Sequence, residues 1–280
     1  MDNGLAPVRM TSQDRDNLGR IRAIRIEAGL DDAEALARLF EDQGIVGDGA
    51  LEARLRAVLL ATQQHWLPGH ATPLDLPGLR EIREAGDRGF RPQFRDPWAN
   101  SRDQIGHFLT ALGLFLYPQT VRTRRLGSRV RDWVRSPQDM SDEEVALRFI
   151  IGHEKVPDPI LGDPRALIQF PKQFTSATAE DVATYRRALE ALGAGWRVNL
   201  EAAVEILSGI AVGQGRGNSI QDLALSLMAC RLGQMIRSGA IRDGAEVAAW
   251  IRDNLAGADE PLQARAGQDT ATGGTRDGIG

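Results

Sequence analysis

Four side chains with the chemistry of metal ligands fall in helices that are otherwise apolar. His107 lies in the stretch 101–117, the adjacent pair His153 and Glu154 at the end of 142–153, and Asp222 near the start of 219–236. Neutral imidazoles and ionised carboxylates hold divalent ions such as Mn, Fe or Zn, and an ion so held turns a bound water into a nucleophile. Ligand sets of this kind are commonly drawn from facing helices. A polar group buried without a partner is costly, so each of the four must be faced by something. The expected metal ligands are therefore His107, His153, Glu154 and Asp222, with Glu154, Asp222 and His153 also acting on the substrate.

The order His, then His-Glu, then Asp is similar to the His…His-Asp…Asp order of the HD-domain metal phosphohydrolases, an all-helical family. That resemblance implies a metal-assisted hydrolase acting on a phosphoester, with the same four residues as ligands. Glu154 stands where the family has Asp, and its extra methylene moves the carboxylate by more than a bond length.

Each residue also has a purely structural reading. His107 can bond to Asp103 or a carbonyl, and His153 is favoured at a helix end by the macrodipole. Glu154 can pair with Lys155 or an arginine, and Asp222 can sit in the first turn of its helix as part of a cap. The protein is then a non-catalytic helical interaction or effector protein. A third reading uses Glu154 as a general acid, its pKa raised by desolvation, with Asp158 or Asp222 as the second carboxylate of a glycan hydrolase.

Two further features concern anions. The run Gly213-Gln214-Gly215-Arg216-Gly217-Asn218-Ser219 leads into the helix that carries Asp222, and its backbone amides, with Arg216, suit a phosphate. It lacks the Gly-Lys-Ser/Thr ending of a P-loop, and an interhelical turn explains it as well. Between 122 and 135 stand Arg122, Arg124, Arg125, Arg129, Arg131 and Arg135, opposed by Asp132. With Leu126, Val130, Trp133 and Val134 on the other side, they form a basic face for an anionic surface, an acidic protein or a phosphate substrate. A solvated face in an arginine-rich proteome is the plainer reading, since only Lys155 and Lys172 are lysines.

The elements that must position these residues are helical. Leu51, Leu55, Val58, Leu59, Thr62 and Trp66 share one face, and 12–28, 32–43 and 179–192 repeat the pattern. Ser141 with Glu144, Ser101 with Gln104 and Asn218 with Gln221 fit the capping box. Asp222, Ser226, Ala229 and Gly233 form a narrow face of small side chains that lets another helix approach. Only Leu167–Phe170 and Gly209–Val212 read as extended. The expected fold is all-α, a single compact multi-helix domain of about ten helices.

The 280 residues divide into an amino-terminal helical part, 1–66, a Pro/Gly-rich ordered wrap, 67–97, and a helical core, 98–256. A tail, 257–280, lacks large apolar residues and is expected to be disordered. Phe90, Phe94 and Trp98 are expected to pack the wrap against the core. A formal net charge of -4 argues against a surface that binds nucleic acid as a whole. The single cysteine, Cys230, rules out an intramolecular disulfide and leaves His and carboxylates for any metal. The sequence shows no secretory signal and no window apolar enough for a membrane span. A cytoplasmic protein is the expectation, with export by a machine that needs no cleavable signal left open; the oligomeric state is not legible.

Overall fold

A computed structural model of the chain describes residues 12–25, 27, 29–45, 51, 52, 54, 55, 58, 86–95, 104–118, 140–156, 176–191, 197–208 and 219–257. Among the described residues the fold is all-α, with eight helices and no strand. They are α1 (Ser12–Arg25), α2 (Asp32–Glu41), α3 (Gln104–Leu116), α4 (Asp142–Lys155), α5 (Ala179–Ala191), α6 (Arg197–Leu207), α7 (Ile220–Arg237) and α8 (Gly244–Asn254). No described helix is long and apolar enough to cross a membrane.

The helix starts follow from local chemistry. Ser141 Oγ accepts the amide of Glu144 at 3.2 Å, as the capping pattern predicts. α7 begins one residue later than that pattern suggests: its cap is Ser219, not Asn218, and Ser219 Oγ accepts the amide of Asp222 at 3.2 Å. Asp31 and Asp243 cap α2 and α8 in the same way, accepting from the amides of Glu34 and Glu246. α3 begins at Gln104, so Ser101 and Trp98 lie outside the described residues. So do both stretches read as extended, Leu167–Phe170 and Gly209–Val212.

α7 is the centre of the molecule. Leu223 to Cys230, Leu232 and Gly233 are all buried, and the helix packs on α3, α4, α5 and α6. Its face of small residues meets α3, with which it runs parallel. Asp222 lies beside Gln104 at one end, and at the other a Cβ on Gly233 would come within 2.6 Å of Phe115 Cδ1. Arg237 closes that end, donating to the Phe115 carbonyl and stacking over its ring.

α2 docks on α8 at the other side of one continuous apolar core. Arg252 of α8 forks onto two carboxylates of α2, with Nε 2.8 Å from Glu34 Oε2 and Nη1 2.9 Å from Glu41 Oε2. The segment 86–95 fastens this pair. Gly89 has φ +78°, and a Cβ there would also fall 2.1 Å from the Asp31 carboxylate that caps α2. Phe90 bridges to Ala256, Gly257 donates to the Gly89 carbonyl, and Phe90 and Phe94 are fully buried. Gly257 is therefore held in place, although the sequence reading puts it in the tail; residues 258–280 lie outside the described residues.

Cys230 acts as the small buried side chain expected of it. Its Sγ lies 3.4 Å from the Tyr185 hydroxyl, and burial pushes the thiol up to about 12. Folded protein at pH about 8 is expected to resist iodoacetamide at this thiol and to react fully once denatured, because the thiolate is the nucleophile. Labelling followed by intact-mass measurement checks this, and rapid labelling of the folded protein would contradict it.

Candidate metal centre

The structure brings His107, His153, Glu154 and Asp222 together where α3, α4 and α7 meet. His107 projects from the first turns of α3 toward the last turn of α4 and the first of α7. Its Nδ1 lies 3.4 Å from Glu154 Oε1, and its Nε2 lies 3.6 Å from Asp222 Oδ2. His153 Nε2 is 4.0 Å from Glu154 Oε1, and the two imidazole rings are 5.5 Å apart. A nitrogen from each histidine and an oxygen of Glu154 all lie within 4.8 Å of one another. Asp222 stands outside that trio, across the His107 ring from Glu154.

Burial divides the four into two kinds. The carboxylates are sealed, with 1% of the Glu154 side chain and 2% of Asp222 exposed, whereas 17% of His107 and 13% of His153 remain at the surface. The imidazoles therefore form the solvent side of the cluster.

Gln104, one turn before His107 on α3, donates from Nε2 to Asp222 Oδ1 at 2.7 Å. Its own Oε1 is buried with no hydrogen-bond partner among the described residues, as is Glu154 Oε2. An unsatisfied buried polar atom costs about 1–3 kcal/mol. Gln104 bears that cost in order to hold a carboxylate.

Burial alone pushes the Glu154 carboxyl up. The hydrogen bond and charge of His107, and then the charge of His153, pull it the other way, and it stands below the usual carboxylate range. The raised pKa expected of a desolvated helix-end carboxyl is thus overturned by its imidazole neighbours. Nor does Lys155 pair with Glu154: its Nζ reaches 2.7 Å to Asp181 Oδ2 on α5.

That contact fixes the end of α4 on which His153 and Glu154 sit. Asp181 also accepts from the Thr178 amide at 2.6 Å and hydroxyl at 2.8 Å, and Thr178 Oγ1 accepts from the Asp181 amide in return. Burial raises the Asp181 carboxyl, but Lys155 and Thr178 together hold it below its ordinary 3.8. A depressed carboxylate contributes stability that is present above the unfolded pKa and lost as pH falls through the folded one. Asp181→Asn is expected to lower the melting temperature at pH 7 and to narrow its gap from wild type progressively below pH about 4. A gap that stayed constant down to pH about 2 would count against the pairing.

The other anion-binding expectations fall on Gly213, Gly215, Arg216, Gly217 and Asn218, and on Arg122, Arg124, Arg125 and Arg129, all outside the described residues. Ser219, the last of the glycine-rich run, is described, and its hydroxyl is engaged in capping α7.

Gln104 is the participant that sequence reasoning passed over. The sequence reads it as the capping-box partner of Ser101, while its spacing of three from His107 places both on one side of α3. No family model matches this chain, and no curated protein or solved structure matches it either.

Proposed function

We propose that His107, His153 and Glu154 hold a divalent transition metal, Zn, Mn or Fe, in a hydrolase acting on a phosphoester. The observation that carries this reading is the trio of ligand atoms within 4.8 Å of one another at a surface-reaching point of an otherwise apolar core. Ligands at 2.0–2.2 Å around a tetrahedral ion lie about 3.3–3.6 Å from each other. The 3.4 Å between His107 Nδ1 and Glu154 Oε1 matches that edge, and His153 at 4.0 Å needs only a small rotation.

Charge supports the same reading. Two buried carboxylates place a double negative charge in a poorly hydrated position, which a dication cancels in place of the imidazole protons that its binding releases. The trio also lies near the last turn of α4, where the carbonyl ends of the helix favour a positive charge. Three protein ligands leave one position open, as catalytic sites require, and an ion there lowers the pKa of a water and polarises a phosphoryl oxygen. The exposed edges of His107 and His153 give a substrate its approach. A phosphoester is favoured by the likeness of the residue order to HD-domain phosphohydrolases and by the glycine-rich run, which ends in the cap of the helix bearing Asp222.

The test is to strip the purified protein with a chelator, reload it separately with Zn, Mn and Fe, and measure both bound metal and turnover of a panel of phosphomonoesters and phosphodiesters. About one ion per chain with chelator-sensitive turnover is the expected result. Failure to retain any ion removes the reading.

One observation favours a second reading. His107 already lies between both carboxylates, so the four side chains can satisfy one another in a non-catalytic helical protein that meets an anionic surface or acidic partner elsewhere. In that case none of the three metals changes the melting temperature.

A further inference from the structure

We propose that Asp222 is a positioning residue for the metal centre and not one of its ligands; this rests on the metal reading above and assigns the two nitrogens of His107 different tasks. A neutral imidazole has one nitrogen free to bind a metal and one that carries a proton. Here each nitrogen faces a different carboxylate: Nδ1 looks toward Glu154 at 3.4 Å, and Nε2 toward Asp222 at 3.6 Å. The trio that converges includes Glu154 and excludes Asp222. Nδ1 is therefore the ligand: a bound ion takes the place of the proton that Nδ1 shares with Glu154 in the metal-free chain, that proton is released, and Nε2–H is directed at Asp222.

The surroundings of Asp222 fit an oxygen held for that proton. Its backbone amide donates to the Ser219 cap, its Oδ1 accepts from Gln104 Nε2, and its Oδ2 faces His107 Nε2 at 3.6 Å. The Gln104 amide presents its nitrogen and not its oxygen to Asp222, at the expense of an Oε1 without a partner among the described residues. That orientation is the one an ionised carboxylate selects. Gln104, Asp222 and His107 thus form a chain that fixes one tautomer and one ring orientation, the arrangement by which a carboxylate raises the basicity of a metal-bound histidine.

The experiment loads wild-type protein and the variants Asp222→Ala, Asp222→Asn and His153→Ala with Zn2+ in competition with a chelating dye, and with Co2+ for its visible absorption. Asp222→Ala is expected to weaken Zn2+ binding about 10- to 100-fold while the shape and intensity of the Co2+ bands stay those of wild type, because the donor atoms are unchanged. Asp222→Asn keeps an oxygen for Nε2–H and lets the Gln104 amide turn round, so it should recover part of that loss. His153→Ala, which removes a donor, should change the bands. Altered Co2+ bands in both Asp222 variants would make Asp222 a ligand, and an unchanged affinity in Asp222→Ala would leave it no role; either overturns the proposal. Wild-type protein that binds neither ion removes the metal reading itself, and this inference with it.

Discussion

His153→Ala is expected to abolish metal-dependent stabilisation and phosphoester turnover together while leaving the metal-free protein folded. An ion that binds only the native chain stabilises it by about 4 kcal/mol at a free concentration a thousand times its dissociation constant. For a chain of this size each kcal/mol moves the melting temperature by about 2–4 °C, so saturating metal should raise that of wild type by about 8–16 °C. His153 supplies one of three donors, and its loss leaves a site that competes poorly with water for the ion. The variant should then melt at the same temperature with or without metal. Metal-free, the variant is also expected to be less stable than wild type, because Glu154, nearly sealed from solvent, loses one of the two imidazoles beside it, and that cost is the same whether or not wild type binds a metal.

The alternative in which the four side chains serve only one another predicts a different pattern. Wild type would then show no response to metal, and neither would His153→Ala. Calorimetry on two proteins, each with and without Zn2+, separates the two readings.

The helices were legible because their cause is local. Period and capping depend on residues within a few positions of each other, and Ser141 with Glu144 sets the start of α4 as its spacing predicts. The meeting of His107, His153, Glu154 and Asp222 was legible for a related reason: polar side chains inside apolar periodicity must be faced by something, and in this fold they lie beside one another. What the sequence did not reveal depends on which faces meet. Nothing in the spacing tells on which side of the His107 ring Asp222 would stand. Nor does it tell that Lys155 would turn from its neighbour Glu154 to Asp181, or that Gln104 would reach Asp222 across 118 positions. The sign of the Glu154 shift was misread on the same ground. Desolvation follows from being buried, but the imidazoles that outweigh it arrive through tertiary packing.

Gly244→Ala is expected to destabilise the fold by about 3 kcal/mol or more, through a mechanism that leaves the cluster of His107, His153 and Glu154 intact. Gly244 opens α8, and a Cβ there would lie 1.9 Å from the Phe40 carbonyl oxygen and 3.0 Å from its carbon. Both are backbone atoms of the last turn of α2, so no side chain can swing aside to make room. The same carbonyl accepts from Arg54 Nη1 at 2.6 Å, which anchors it further, and Arg54 Cδ is itself 3.1 Å from the added carbon. Relief requires α8 to move off α2, which strains the fork of Arg252 on Glu34 and Glu41 that joins the same two helices. At about 2–4 °C per kcal/mol the melting temperature should fall by at least about 6 °C, and a fall of under about 2 °C would show that the helices are less tightly docked than their contact implies. Gly239 is the control, because its φ of +73° favours glycine but an added Cβ meets nothing within 4 Å. Gly239→Asn, whose side chain tolerates that conformation, should cost under about 1 kcal/mol. Because α2 and α8 contribute none of the four site residues, Gly244→Ala should keep the full rise in melting temperature on adding metal. His153→Ala should lose that rise, so the two variants separate the response to metal from the docking of α2 on α8.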